Sequence, residues 1–437
     1  MPIGAFSREV LRLALPAFGA LVAPSALLLS ETGFIGSLGT DALAGYAGGA
    51  AAFGVATSLG YFLAYASTGT VARRLGAGQR REALTVGIDH IALGLVIGAI
   101  AGLALWIGAG TFVGWIGVEP QAQPDAIAWL HGAAFGTPAM MASMAAVGMF
   151  RGLQDTRVTF IVTVLQVVLN IALCALLILV AHLGTIGAGA ALAIAETAGF
   201  CAYAIVLLRH VRAAGASARP THLGALGEAF TAGLPLLWRG FALRTVLMGT
   251  TVVAARLGTH ELAAFQVSLT FWYVLANLLD ALAIAAQAMV GRRLGASEGA
   301  EARVVVHRLM RWALRYGVTV GIIVMALAPV LPALFSASDV VRHLITVALL
   351  LVGVHQPLAA IVFLLDGVLI GSGDARYLAF VLTMAMCTFL PLAWAVVHWG
   401  LGIAGLWGAM IAFLTTRGIL MVRRARSGAW AIEGATR

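Results

Sequence analysis

The chain alternates long apolar runs with short polar breaks. From Leu13 to Leu29 every side chain is apolar or small, interrupted only by Pro16 and Pro24. About 20 such residues cross the hydrocarbon core of a bilayer as a helix. Helices that are apolar all round carry little periodicity, so charge, glycine and proline set the boundaries instead. They predict spans at 11–35, 42–71, 84–117, 125–150, 158–181 and 186–208. After a polar linker come spans at 228–256, 261–291, 304–336, 340–370, 377–399 and 402–422. The expected fold is an all-α integral membrane protein of twelve transmembrane helices.

The second six spans repeat the first. Leu38-Gly39-Thr40 recurs as Leu257-Gly258-Thr259, an offset of 257 − 38 = 219 residues. Arg73-Arg74-Leu75-Gly76-Ala77 recurs as Arg292-Arg293-Leu294-Gly295-Ala296 at the same offset. Pro16 maps onto Pro235, Gly152 onto Gly371, Asp155 onto Asp374 and Arg157 onto Arg376. An even number of spans per half gives both halves one orientation, the arrangement of transporters built from parallel repeats. The expected domains are an N-terminal six-helix lobe at 1–208, a cytoplasmic linker at 209–227 and a C-terminal six-helix lobe at 228–437. A linker this short holds no nucleotide-binding domain, which argues against a primary pump on one chain.

Composition agrees. Of 437 residues 61% are hydrophobic and 10% charged, against roughly 25% charged in a soluble domain; mean hydropathy is +0.98. All 27 basic residues are arginine, so P-loop, Schiff-base and Ser-Lys chemistry are excluded for want of an amine. The net charge of +9 is not a nucleic-acid footprint, because most arginines stand in short loops between apolar spans. Cys174, Cys201 and Cys387 lie inside spans and imply no disulfide or metal framework. The first apolar run is too long for a signal-peptide core and reads as a retained helix.

Loop arginines alternate. Arg73, Arg74, Arg80, Arg81, Arg151, Arg157, Arg209, Arg212, Arg219, Arg292, Arg293, Arg303, Arg376, Arg423, Arg424 and Arg426 fall on one side. The other side holds Asp41, Glu119, Asp125, His182 and Asp339, with only Arg256 and Arg342 as bases. By the positive-inside rule both termini are cytoplasmic, in the cell inner membrane.

Charges within spans are the candidates for function, because an ionisable group in lipid costs at least ~2.5 kcal/mol. Glu31 stands first, near the far end of span one. Asn170 and Cys174, one turn apart on the fifth span, and Glu196 on the sixth are expected to converge with it. Such a pocket binds and releases protons, because an apolar surround shifts a carboxyl's titration, or ligates a hard cation such as sodium. A plainer account makes Glu31 an interfacial, solvated residue and Asn170 and Glu196 interhelical hydrogen-bonding groups.

In the second half Arg239 and Arg244 lie mid-span and Asp280 lies deep in the eighth helix. Arg239 and Asp280 reach similar depth at 1.5 Å rise per residue, which predicts either a structural ion pair or a central site that lets Asp280 go on protonation. Asp366, close to the turn Gly371-Ser372-Gly373-Asp374, reads as a cytoplasmic gate or cap. None of these charges is repeated: Glu31 maps to Thr250, Asp280 to Tyr61 and Asp366 to Val147. Coupling is therefore expected to be asymmetric between the halves. His90, His131 and His355 have no partners at metal-ligand spacing. Gly187-Ala188-Gly189 follows no strand, so it is helix packing and not a dinucleotide fingerprint.

Several stretches resemble the multidrug and toxic compound extrusion (MATE) family, within it the branch of DNA-damage-inducible protein F. They are Leu13-Ala14-Leu15-Pro16; Glu31-Thr32 ahead of Ile35-Gly36-Ser37-Leu38-Gly39; Arg151-Gly152-Leu153-Gln154-Asp155-Thr156-Arg157; Asp280 leading to Ala286-Gln287-Ala288-Met289-Val290-Gly291; and Leu365-Asp366-Gly367 running to Gly371, Asp374 and Arg376. The resemblance implies two pseudo-symmetric six-helix lobes and export of organic, often cationic or amphipathic, compounds against inward proton or sodium flow. It also implies a bent first helix, for which Pro16 and Pro24 are the hinge. The second-lobe polar site would comprise Asp280, Arg244, Arg239 and Gln287. Relatives usually carry Asp where this chain has Glu31, and often a second Asp where it has Cys174. The second change removes a carboxylate and favours protons over sodium.

The expected function is thus a proton-coupled antiporter, not an enzyme, with no cofactor beyond the coupling ion. Its expected partners are small organic cargo and the bilayer but no nucleic acid, and it is expected to work as a monomer. A sodium-coupled exporter or a lipid-linked saccharide flippase of the same superfamily is the alternative; the flippase would need a cavity rich in arginine. An intramembrane enzyme would need a convergent His/Asp or His/Glu constellation, and a passive channel would need no buried titratable residue.

Overall fold

In a computed structural model the backbone is described for residues 3–58, 60–216, 220–221 and 223–436, with side chains described from residue 7 and not at 223. The chain is helical, with no strand among the described residues. The first helices are α1 (Ile3–Gly36), α2 (Thr40–Ser58), α3 (Tyr61–Gly76), α4 (Arg80–Ile116), α5 (Gln123–Ala134), α6 (Thr137–Gly152), α7 (Thr156–Cys174) and α8 (Gly184–Ala214). There follow α9 (Leu223–Leu257), α10 (Thr259–Gly295), α11 (Gly299–Leu327), α12 (Asp339–Gly371), α13 (Ala375–His398) and α14 (Gly402–Ser427). Among the described residues eleven stretches are long and apolar enough to cross a membrane, and the pair α5–α6, bent by 55° at its break, makes a twelfth. All twelve fall where the polar punctuation puts them.

The chain forms two compact units, one ending at Leu234 and the other starting at Pro235. In the first, α1 packs on α7, α2 on α5, α3 and α4 on α6, and α5 and α7 on α8. In the second, α12 is the central helix and packs on α10, α11 and α14, with α13 on α14. Arg209 and Arg212, expected in the linker, belong to the last turns of α8; Arg219 lies outside the described residues. Past α8 the chain is tied back to the first unit: buried Asp89 of α4 accepts from Thr221 N–H and Oγ1 at 2.9 Å each, and Arg81 Nε donates to the Ala214 carbonyl at 2.8 Å.

The repeat reappears as packing. A Cβ on Gly148 would collide with the Ala64 carbonyl, and one on Gly367 with the Ala283 carbonyl, the same pair of positions 219 residues on. Likewise a Cβ on Gly98 would lie 2.6 Å from Pro138 Cα, and one on Gly317 2.7 Å from Pro357 Cα. Small residues let helix backbones touch in lipid, where apolar burial supplies no drive. Gly148→Ala and Gly367→Ala should therefore each cost about 1–3 kcal/mol, as overpacking does. Thermal unfolding in detergent checks this, and a loss at one site alone would break the equivalence of the two units.

The repeat fails at two places, and glycine explains both. The second span gives way near Gly60 and the fourth at Phe135–Gly136, whereas α10 and α12 run unbroken past the equivalent Leu279 and His355. Glycine is a weak helix former; Pro138 at the start of α6 does not make the difference, because α12 runs on through the equivalent Pro357. The expectation of a continuous helix over 125–150 is corrected accordingly. By contrast α1 stays continuous through Pro16 and Pro24.

Candidate functional site

Glu31 stands one and a half turns before the end of α1 and is 4% exposed, so it is not a solvated interface residue. The Tyr46 hydroxyl on α2 donates to its Oε2 at 2.8 Å. Its Oε1 faces the Asn170 amide of α7 at 3.3 Å, which donates when the amide nitrogen points to the carboxylate and the amide oxygen receives Leu192 N–H of α8 at 3.2 Å. Amide orientation is read from such a network. Cys174 Sγ, fully buried, lies 3.2 Å from the same amide. Directly after Cys174 the backbone widens into a π turn, Ala175–Val180; such turns recur at functional sites.

An aromatic wall holds the Tyr46 hydroxyl in place. The Tyr46 ring meets Trp129 of α5 edge-on at 5.5 Å and 77°, and Phe53 meets the same indole at 5.5 Å and 86°. Three of the expected residues, Glu31, Asn170 and Cys174, thus converge. No arginine or histidine bonds the Glu31 carboxylate among the described residues. It is a neutralisable acid held by neutral groups, and this arrangement suits a group that changes charge rather than one that anchors a fold.

Glu196 does not complete that pocket. It is half-buried one turn further along α8 from Leu192, and Gln166 of α7 donates to its Oε2 at 3.1 Å. The expected convergence with Glu31 is corrected: helical rise places Glu196 on a separate rung of the same α7–α8 seam.

In the second unit Asp366 joins the buried charges. Depth sets Asp280 level with Arg239, and the Arg239 guanidinium bonds the carboxylate of Asp366, a partner that depth did not point to. Arg417 of α14 donates to the same Oδ2 at 2.9 Å. Asp366 and both arginines are buried, at 5, 8 and 3% exposure. Asp366, expected as a gate at the turn, is thus clamped between two guanidinium groups. Asp280, half-buried on α10, lies within electrostatic reach of Arg417. Gln287 is buried, whereas Arg244 is exposed and within electrostatic reach of Tyr273.

Sequence reasoning missed Tyr46, Gln166 and Arg417. Arg417 was within reach, because it is an arginine inside the span 402–422 and the cost of charge in lipid applies to it as to Arg239. Tyr46 and Gln166 gave no signal of their own. Buried His90 and His355 each bond a carbonyl on their own helix at 2.8 Å. No cluster of three or more His, Cys, Asp or Glu able to hold a metal occurs among the described residues.

The MatE family model matches residues 16–176 and again 235–395, two matches at the offset of the internal repeat. Protein DETOXIFICATION 43 of Arabidopsis thaliana is 30% identical over 343 residues, which is 77% of this chain and 64% of that protein's length. DNA damage-inducible protein F of Escherichia coli strain K12 is 25% identical over 96% of this chain and 92% of its own. The structure is similar to that of the Vibrio cholerae MATE transporter VcmN in the bent form, with a TM-score of 0.88 and 20% identity over 98% of this chain and 99% of that one. Two tandem family matches that together cover most of a chain of twelve apolar spans establish that it belongs to the multidrug and toxic compound extrusion (MATE) family of membrane transporters.

Proposed function

We propose that this protein is a proton-coupled antiporter of the inner membrane that exports organic, often cationic or amphipathic, compounds, with Glu31 as its proton-binding group. The observation that carries the reading is the buried Glu31 carboxylate held by the Tyr46 hydroxyl and the Asn170 amide. An amide offers both a donor and an acceptor. Asn170 therefore serves the charged acid through its N–H and, turned over, the protonated acid through its C=O. Protonation from outside neutralises Glu31, weakens its hold on Tyr46 and lets α1 repack about Pro16 and Pro24. The proton then leaves to the cytoplasm as the carrier returns. A ligand shifts an equilibrium only by its differential affinity for the two states, so proton and cargo favour opposite ones.

Proton coupling is favoured over sodium by the donor set. A hard cation prefers several oxygen ligands, and here a buried thiol, a soft ligand, stands against Asn170. The test is uptake of a fluorescent organic cation into inside-out vesicles. Uptake is expected to follow an imposed pH gradient, to collapse with a protonophore and to ignore sodium. Uptake that follows a sodium gradient overturns the reading in favour of sodium, and absence of cation movement overturns it in favour of a flippase.

A further inference from the structure

We infer that Glu196 is a second, inner proton-binding carboxyl, which receives the proton from Glu31 along the α7–α8 seam and passes it towards the arginine-bearing end of the first unit. This rests on the proton-coupled reading above and adds the exit route to it.

The seam is laid out in rungs. On α7, Asn170 and Gln166 are four residues apart, about 6 Å at helical rise; on α8, Leu192 and Glu196 have the same spacing. The Asn170 amide sits between Glu31 and Leu192 N–H, and one turn on the Gln166 amide bonds Glu196 at 3.1 Å. Further along α8 the Tyr203 hydroxyl donates to the Thr159 carbonyl at 3.4 Å. Tyr203 bonds the Thr163 side chain and lies within electrostatic reach of both Glu196 and Arg151. Its ring stacks on Phe150, 5.8 Å between centroids, next to Arg151 in the last turn of α6. Polar groups thus run from Glu31 to an end carrying Arg151 and Arg157, through helices that are otherwise apolar.

The surroundings of Glu196 suit a passing proton. From α7 it meets the neutral Gln166, from its own helix Tyr203, and through Tyr203 the charge of Arg151; Glu31 of α1 lies beyond Asn170. The acid and the histidine of α5 are engaged elsewhere, Asp125 by Thr185 at 2.9 Å and His131 by the Trp106 carbonyl at 3.1 Å. Asp89 of α4 is held by Thr221, and His90 by the Val86 carbonyl. No cation bonds Glu196 among the described residues, so its charge serves no ion pair. A purely structural bridge between α7 and α8 would need only an amide. In the transfer one O–H bond breaks at Glu31 and one forms at Glu196, the proton passing along the seam beyond Asn170. Gln166 acts here as a positioning residue, fixing the carboxylate towards the seam.

The experiment compares wild type, Glu31→Gln, Glu196→Gln and Glu196→Asp in the same vesicles. Glu196→Gln is isosteric and keeps a partner for Gln166. It is expected to slow pH-driven uptake about a hundredfold, the scale of one lost proton-transfer group. Cargo binding and gradient-free cargo exchange should stay near wild type, and Glu196→Asp should recover most of the uptake. Gln166→Leu, which leaves the acid in place, should slow uptake less.

Wild-type uptake by Glu196→Gln, with Glu31→Gln inactive, overturns this inference and leaves the proton-coupled reading standing. Loss of cargo binding or exchange together with uptake also overturns it, because a structural bridge predicts that. Should Glu196→Gln not fold, unchanged uptake by Gln166→Leu overturns it equally. Wild-type uptake indifferent to pH overturns both readings.

Discussion

Glu31→Gln is expected to abolish pH-driven export, with a fall of at least about a hundredfold in uptake by inside-out vesicles. The replacement keeps the size of the side chain. Its carbonyl still accepts from Tyr46, and its amide donates to Asn170 once that group turns over. What it loses is the ability to carry a proton, so cargo is bound but the pH gradient no longer drives it. Stability should not suffer, because a neutral amide is cheaper to bury than an unpaired carboxylate. Unfolding in detergent at or above the wild-type temperature, together with absent uptake, is therefore the full expected result. Glu31→Asp retains the acid on a stem shorter by one methylene and should transport, more slowly, because it reaches Tyr46 less well. Normal uptake by the Gln variant would dismiss Glu31 as the coupling group.

The second large effect belongs to the second unit and is one of stability. Asp366→Ala leaves the buried guanidinium groups of Arg239 and Arg417 without the carboxylate they share. Removing one partner of a buried ion pair costs about 3–5 kcal/mol, because the remaining charge stays in a medium that solvates it poorly. For a unit of this size the unfolding midpoint should fall on the order of 10 °C. Asp366→Ala combined with Arg417→Met should lose less than the two single changes together, by at least about 1 kcal/mol, because the second change removes one of the stranded charges. Strict additivity in that cycle would mean that the two side chains do not act on each other. Asp366 is thus expected to hold α12, α9 and α14 together.

The two sites differ in a way that assigns them different work. Glu31 meets a phenol and an amide, with a thiol against the amide, all neutral, so its charge changes without stranding a counter-charge. Asp366 meets two guanidinium groups, and protonating it would take from both the charge they share. Coupling is therefore expected in the first unit, although the two units share glycine contacts at 148 and 367 and at 98 and 317.

The scaffold was determined by the sequence itself. Apolar length is a property of consecutive residues, and the offset of 219 is visible as identity at Leu38-Gly39-Thr40 and Arg73-Arg74 without any structure. The candidacy of Glu31 was legible for the same local reason: a carboxylate inside an apolar run is costly wherever the run packs. Its partners were not. Tyr46 reaches Glu31 across the turn from α1 to α2, and Asn170 reaches it from a helix more than a hundred residues on.

Depth along the membrane normal is one coordinate of three. It set Asp280 level with Arg239 but gave no sign of Asp366, whose carboxylate the packing of α12 brings to Arg239 and Arg417. The same limit misplaced Glu196, whose helix is right but whose rung is one turn away, with Gln166. Which helix faces which is decided by close packing of small side chains over the whole unit. Only the tertiary structure could convert a set of buried charges into one acid held by neutral groups and one locked ion cluster.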